Sequence, residues 1–103
     1  MTAIARTWRG RVPADRSDDY LSYLRRTGVP DLAATPGNRS VQVLRRTVGE
    51  VSEFTIISTW DTEDAIRAFA GDPVDAARYY PEDADFLLEL PECCEHWQLA
   101  DSR

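Results

Sequence analysis

The stretch Glu53–Gly71, EFTIISTWDTEDAIRAFAG, decides the fold of this 103-residue chain, because a predicted strand runs directly into a predicted helix within it. The strand ends at Trp60 and alternates two sets of side chains, as the two faces of a β-strand do. One set is Phe54, Ile56, Ser58 and Trp60, and the other is Thr55, Ile57 and Thr59. Both sets are partly apolar, which predicts a central strand that is covered on both faces.

The helix begins immediately after Trp60. Asp61 and Asp64 give it an acidic start that resembles a capping box, and Gly71 marks its end. Helical spacing predicts a buried face made of Ala65, Ile66, Phe69 and Ala70. A strand that ends on Trp and feeds into a helix is typical of a small α+β architecture in which nearby aromatic residues line a pocket.

The residues before this stretch predict two further strands and a helix. Ile4–Val12 has strand alternation, and the apolar stripe of Asp15–Arg26 has helical spacing. Gly28 and Pro30 are expected to stop the helix, with one more helical turn at 31–34. A turn at 35–38 leads to a second strand, Ser40–Thr47, and a hairpin turn around Gly49 joins it to the strand that ends at Trp60.

The residues after Gly71 predict a helical insertion and a last strand. Asp72-Pro73 is expected to cap a short helix, Val74–Tyr80, which Pro81 stops. Pro81–Pro91 is an acidic loop or helical turn. Four of its side chains are expected to cover an apolar surface, namely Phe86, Leu87, Leu88 and Leu90. The final strand is predicted at Cys93–Ala100.

This order of elements, β-α-β-β-α-β with a helical insertion before the last strand, is the ferredoxin-like order. It predicts a single α+β domain over residues 1–103, with helices on one face of an antiparallel sheet. The other sheet face then needs a cover. Two such sheets packing face to face would supply it, so the sequence predicts a homodimer.

The composition restricts the partners. The net charge of −6 argues against nucleic acid or an anionic membrane as a partner. No apolar run approaches the ~20 residues of a membrane span, and the N-terminus lacks a signal-peptide core, so a cytoplasmic location is expected. The only cysteines, Cys93 and Cys94, are adjacent and match no zinc spacing, so neither a metal nor a disulfide framework is expected.

Three segments together resemble the antibiotic biosynthesis monooxygenase family of dimeric α/β barrels. IARTWRGRVPADRSDDYLSYL is similar to its opening strand and helix, and TPGNRSVQVLRR to its Pro-Gly entry into strand two. FTIISTWDTEDAIRAFAG is similar to its strand that ends in Trp before a capped helix. The resemblance implies a dimeric barrel, and an enzyme that oxygenates aromatic or polyketide-like molecules with dioxygen and no cofactor.

The family also contains haem-degrading oxygenases, which use an Asn on strand one, a Trp on helix two and a His shortly after it. By the resemblance these positions fall on Thr7, on Phe69 and close to Tyr79, and none of the residue types agrees. The missing axial histidine argues most strongly against haem, although Tyr79 is a conceivable donor. Thr7 and Phe69 remain expected contacts of a substrate.

Cofactor-free oxygenation needs an aromatic pocket, one base and donors that stabilise a substrate anion. His96, the only histidine, is the candidate base, against the alternative of an interface or surface residue. Arg6 is the candidate partner of a substrate anion, against the alternative of an ion pair with an acid, for example from Glu82–Glu89. A Tyr79 hydroxyl is the third catalytic candidate, as a donor to a substrate oxygen.

The remaining candidates are aromatic residues expected to contact a substrate, although roughly half of such aromatics serve only the core. They are Trp8, Tyr20, Trp60, Phe69 and Tyr80. Two other functions stay open beside the oxygenase. One is a cyclase or isomerase that uses acid–base chemistry without oxygen, and the other is a dimeric ligand-binding module without turnover.

Overall fold

The computed structural model describes residues 2–103 and contains one four-stranded antiparallel sheet. Its strands lie in the order β2-β3-β1-β4, which is the ferredoxin-like arrangement. Their bounds are Ile4–Pro13 (β1), Asn38–Val48 (β2), Val51–Trp60 (β3) and Glu95–Gln98 (β4).

Four α-helices and one 3-10 turn accompany the sheet. The helices are Ser17–Arg26 (α1), Gly28–Ala34 (α2), Glu63–Ala70 (α3) and Asp83–Phe86 (α4), and the 3-10 turn is Ala14–Arg16. The predicted α+β class and element order are therefore confirmed. Helix α1 ends at Arg26, as predicted, and Gly28 and Pro30 lie in the first turn of a second helix, α2, where a proline costs no hydrogen bond.

Strand β3 is central, as predicted, but the chain itself covers only one of its faces. The face that carries Phe54, Ile56 and Trp60 is buried against the helices. The opposite face, which carries Thr55 and Ile57, is half-buried. Strands β1 and β2 pair in register with β3, so their side chains alternate between the same two faces. One complete sheet face therefore stays open in the described chain.

The start of α3 differs from the prediction in one residue. Thr62 is the N-cap, and its Oγ1 accepts a hydrogen bond from the Ala65 backbone N–H at 3.1 Å. Asp61, the expected cap, instead forms an ion pair with Arg39. The threonine reaches the third backbone N–H because it directly precedes the first helical residue, whereas Asp61 lies one position too early.

The prediction of a helix at Val74–Tyr80 is wrong. This segment is irregular, because tertiary contacts occupy its backbone polar groups. The carbonyl oxygens of Val74 and Ala76 accept hydrogen bonds from the Arg6 side chain at 2.7 Å each, and the Ala77 N–H donates to the Glu92 carbonyl. Ala76 also forms an isolated β-bridge with Cys93. A helix would need these carbonyls for its own ladder.

Two smaller predictions about the C-terminal part also need correction. Phe86 and Leu87 are buried as expected, but the side chains of Leu88 and Leu90 are exposed. The last strand spans Glu95–Gln98 rather than Cys93–Ala100. Across residues 2–103, no helix is long and apolar enough to cross a membrane.

Candidate active site

A cavity of about 60 Å³ lies between the buried sheet face, the first two helices and the irregular segment 72–94. Its wall is mostly aliphatic and aromatic, with three charged side chains: Arg6, Arg78 and Asp83. Five aromatic residues contribute to the wall, namely Trp8, Tyr20, Phe69, Tyr79 and Tyr80. The cavity therefore combines the apolar wall and the few polar groups that are common in small-molecule sites.

Arg6 is the cation of this cavity and is only 4 % exposed. Strand alternation aims its side chain at the helices, beside Trp8 on the same face of β1. Nη1 donates to the Val74 carbonyl at 2.7 Å and to His96 Nε2 at 3.0 Å, and Nη2 donates to the Ala76 carbonyl at 2.7 Å. Three of its five N–H groups are thus used by neutral acceptors.

Among the described residues, no carboxylate lies within 4.0 Å of the Arg6 guanidinium, so the predicted alternative of an ion pair does not hold. Burial lowers the pKa of Arg6, and the more distant Asp75 works in the opposite direction. The side chain still remains charged near neutral pH. A buried cation without an ionic partner is costly, and an anion in the cavity would relieve that cost.

His96 lies opposite Arg6 on β4, and its ring does not line the cavity. Because arginine is only a donor, His96 Nε2 accepts the hydrogen bond, and the ring proton belongs on Nδ1. Burial and then the Arg6 charge lower the pKa of His96, which favours the neutral ring. Its one basic lone pair is therefore occupied, and the ring supports the Arg6 guanidinium.

Trp8 and Tyr79 form the wall next to Arg6. The Trp8 indole donates its Nε1–H to the Tyr79 hydroxyl at 3.1 Å, and that hydroxyl donates its proton to the Pro91 carbonyl. The indole lies over Gly10, where a Cβ atom would come within 2.2 Å of the Trp8 ring. Glycine at this position thus lets the indole lie against the strand.

Asp83 is the anion of the cavity and is also 4 % exposed. It begins α4, and its two oxygens accept from different donors. Oδ1 accepts from the Tyr20 hydroxyl at 3.0 Å, and Oδ2 accepts from the Tyr80 backbone N–H at 2.7 Å. Burial raises the pKa of Asp83, and these two hydrogen bonds lower it.

The 72–94 segment closes the cavity over α2. The Tyr80 hydroxyl donates to Asp31, the Arg78 guanidinium lies 3.9 Å from the same carboxylate, and Arg78 also stacks on Phe69. The cavity is partly open to solvent, and its volume of about 60 Å³ is less than half of the roughly 150 Å³ of a cavity that admits benzene. An aromatic ligand therefore either extends through the opening or displaces side chains of the wall.

The structure brings most of the predicted site residues together and separates three from them. Arg6, Trp8, Tyr20, Phe69, Tyr79 and Tyr80 all line the cavity. Trp60 lies behind the wall, where it packs on Phe69 and donates to Ser58 Oγ at 2.8 Å. His96 is reached only through Arg6. Thr7 lies on the open sheet face and accepts a hydrogen bond from the Trp97 indole.

Sequence reasoning missed three ionisable residues of the cavity wall: Arg78, Asp83 and Cys94. Asp83 lies in the predicted acidic loop or helical turn, and nothing in the sequence marks it as the buried acid of α4. Cys94 was expected to be a small strand residue. It is a free buried thiol beside Arg6, and burial raises its pKa, so it stays protonated near neutral pH. No cluster of potential metal ligands occurs within residues 2–103.

Comparisons with known proteins agree on the family and the fold. The family model described as antibiotic biosynthesis monooxygenase matches residues 3–74. A Nitrosomonas europaea protein of unknown function superposes with a TM-score of 0.72 at 18% identity, covering 100% of this chain and 94% of its own. A heme-degrading protein from Mycobacterium tuberculosis gives 0.67 at 15% identity, covering 98% of each chain. No curated protein matches the sequence.

The cavity residues do not fit haem. Iron needs an axial donor, and the cavity offers only tyrosines and one cysteine for that purpose. The Tyr79, Tyr80 and Tyr20 hydroxyls are committed to Pro91, Asp31 and Asp83. Burial holds Cys94 in its thiol form. The single histidine already binds Arg6.

Proposed function

Because the chain belongs to the antibiotic biosynthesis monooxygenase family, we propose that it is a cofactor-independent monooxygenase of an aromatic or polyketide-like small molecule. One observation carries this proposal: Arg6 is a buried guanidinium without a carboxylate partner in the wall of an aromatic cavity. Such a cation stabilises a phenolate or enolate that forms beside it. These anions are the species that give an electron to dioxygen.

The proposed reaction needs no external reductant. A ring methylene that is conjugated with a ketone loses one proton, and the resulting enolate transfers an electron to dioxygen, combines with it and takes up one proton to give a hydroperoxide. Loss of the second methylene proton then breaks the O–O bond and releases hydroxide, which takes up a proton to become water. The net change is CH₂ + O₂ → C=O + H₂O, in which the substrate carbon is oxidised and dioxygen is reduced to water and the new carbonyl oxygen.

The other predicted catalytic residues receive supporting roles. We assign His96 to positioning, because its Nε2 holds the Arg6 guanidinium at 3.0 Å. Tyr79 and Trp8 form one hydrogen-bonded wall, which shields the reactive intermediates from water on that side of the cavity. Thr7 contributes nothing to this cavity, since its side chain lies on the other sheet face.

The test is Arg6→Met, which keeps the apolar stem and removes the charge. Oxygen uptake with anthrone or hydroxynaphthalene substrates, measured with an oxygen electrode, is expected to fall by ~10²-fold or more, as when one oxyanion donor is removed. Arg6→Lys restores a charge but places its donors on one nitrogen instead of a planar fork, and should recover only part of the rate. Chelation of metals and removal of flavin should leave the wild-type rate intact.

Arg25→Met is the matched control, because Arg25 is an exposed residue on α1. Thermal unfolding of each variant separates loss of fold from loss of chemistry. Unchanged oxygen uptake by Arg6→Met would remove the anion-stabilising role. No uptake with any phenolic or enolic substrate would count against the oxygenase and favour acid–base chemistry alone or a binding module.

We also propose that the chain forms a homodimer through its open sheet face. That face carries three of the five large hydrophobic side chains that are most exposed in the described residues: Leu44, Val48 and Trp97. Half-buried Ile57 lies at its centre. Pairing two such faces would remove this apolar surface from water without touching the cavity on the other side of the sheet.

A further inference from the structure

We propose that Asp83 is the proton acceptor of this cavity, and that the cavity takes a substrate that arrives as a neutral carbon or oxygen acid and is ionised there. This inference rests on the proposed function and adds the base and the charge state of the substrate. Asp83 belongs to the segment Pro81–Pro91, which the sequence predicted only as an acidic loop or helical turn.

The environment of Asp83 suits a carboxylate that accepts protons. Tyr20 and the Tyr80 backbone each donate to one of its oxygens, so neither oxygen faces an acceptor that would require it to carry a proton. Within residues 2–103, no cation lies within 4.0 Å of it. Tyr23, Tyr79 and Tyr80 are further ionisable neighbours, and all three are held in the phenol form because burial raises their pKa values.

The two buried charges of the cavity come from different elements and do not bind each other. Arg6 comes from β1 and Asp83 from the start of α4, and both line the same space. A ligand with a permanent negative charge would be attracted by Arg6 but repelled by the Asp83 carboxylate. A neutral keto–enol or phenol can instead interact favourably with both residues, because its acidic hydrogen faces Asp83 and its oxygen faces Arg6.

The step is a single proton transfer. The substrate C–H or O–H bond breaks, its electron pair stays on the substrate and is delocalised onto the oxygen that Arg6 stabilises, and the proton bonds to an Asp83 oxygen. Nothing is oxidised or reduced in this step. The same proton can return to the substrate carbon, so the transfer is visible without oxygen.

The experiment is deuterium exchange at the acidic carbon of anthrone in D₂O without oxygen, followed by mass spectrometry and corrected for the protein-free rate. The wild-type protein should accelerate exchange, and Asp83→Asn should lower that acceleration by ~10²-fold or more. Asp85→Asn is the matched control, because Asp85 is an exposed acid in the same helical turn. The Asp85→Asn variant should accelerate deuterium exchange into anthrone as much as the wild-type protein does.

The outcomes separate this inference from the proposed function. If exchange requires Asp83 and the protein takes up no oxygen, the result would support Asp83 as the base and contradict the proposed oxygenase function. Oxygen uptake that survives in Asp83→Asn would keep the oxygenase and overturn the role of Asp83. Wild-type protein that accelerates no exchange with anthrone or a hydroxynaphthalene would also overturn it.

Tyr20→Phe gives a second readout if Asp83→Asn folds poorly. A base acts in its ionised form, so exchange should rise with pH through the pKa of Asp83. The Tyr20 hydrogen bond lowers that pKa, so its removal should move the rising limb to higher pH. If Asp83 has only a structural role, Tyr20→Phe should lower the exchange rate equally at every pH. A rising part of the pH–rate curve that stays at the wild-type pH would contradict the assignment of Asp83 as the base.

Discussion

At the scale of single residues, Arg6 organises both the site and the backbone around it. Its guanidinium donates hydrogen bonds to the carbonyl oxygens of Val74 and Ala76 and to the ring of His96. These acceptors are neutral, so they orient the charge without cancelling it. The cation is therefore fixed in place before any ligand arrives, which is the preorganisation that electrostatic stabilisation of an anion requires.

His96 should make the stability of the protein depend on pH. Its pKa in the folded state is lowered from 6.5, by burial first and by Arg6 second, so the unfolded chain binds the proton more readily. The contribution is fully present above about pH 6.5 and is lost as the pH falls through the lower folded-state pKa. Acidification should therefore destabilise the protein through this residue.

His96→Gln tests this link, because glutamine keeps an acceptor for Arg6 and does not titrate. The urea concentration at the unfolding midpoint should be lower at about pH 5 than at about pH 7.5. This decrease should be smaller in the variant than in the wild type. Groups other than His96 affect both proteins alike and cancel in the comparison. An equal fall in both proteins would show that His96 does not carry this dependence.

At the scale of elements, the sequence predicted what depends on local periodicity and missed what depends on distant contacts. The buried face of β3 and the stripe of α1 follow from side-chain spacing, so both were predictable. The segment after Asp72 has the composition of a capped helix, but its conformation is set by Arg6, almost seventy residues earlier. The burial of Asp83 also depends on a distant contact, because Tyr20 of helix α1 binds it from outside its own turn.

The start of α3 allows a direct comparison of the two candidate caps. Thr62→Ala removes the acceptor of the Ala65 N–H and should cost about 1 kcal/mol of unfolding free energy. Asp61→Ala removes only an exposed ion pair with Arg39 and should cost about 0.5 kcal/mol or less. Chemical denaturation of the two variants measures both values, and a larger loss for Asp61→Ala would contradict the assignment.

At the scale of the whole molecule, the sheet divides the chain into two sides with different tasks. The side that faces the helices holds the cavity and its two buried charges. The open side holds Leu44 and Trp97, which are about half exposed in the described chain, and half-buried Ile57. Chemistry and association can therefore be altered separately by substitutions on opposite faces of the same strands.

The proposed dimer should be lost in Ile57→Asp, because the substitution places a charge at the centre of the open face. Light scattering at micromolar concentration should give about twice the 11.7 kDa chain mass for the wild type and one chain mass for the variant. Leu90→Asp is the control, since Leu90 is an exposed leucine outside the sheet, and it should remain a dimer. A wild-type mass of one chain would refute the proposal.

The contacts of Arg6 also bear on the order in which the protein acquires its activity. They join residues separated by 68, 70 and 90 positions in the chain. The β2–β3 hairpin closes over a short loop and can form early, whereas contacts this distant must wait for costly loop closure. During synthesis Arg6 emerges first and its acceptors last. We therefore expect the site to mature last in folding, so that binding of a cavity ligand reports a completely folded chain.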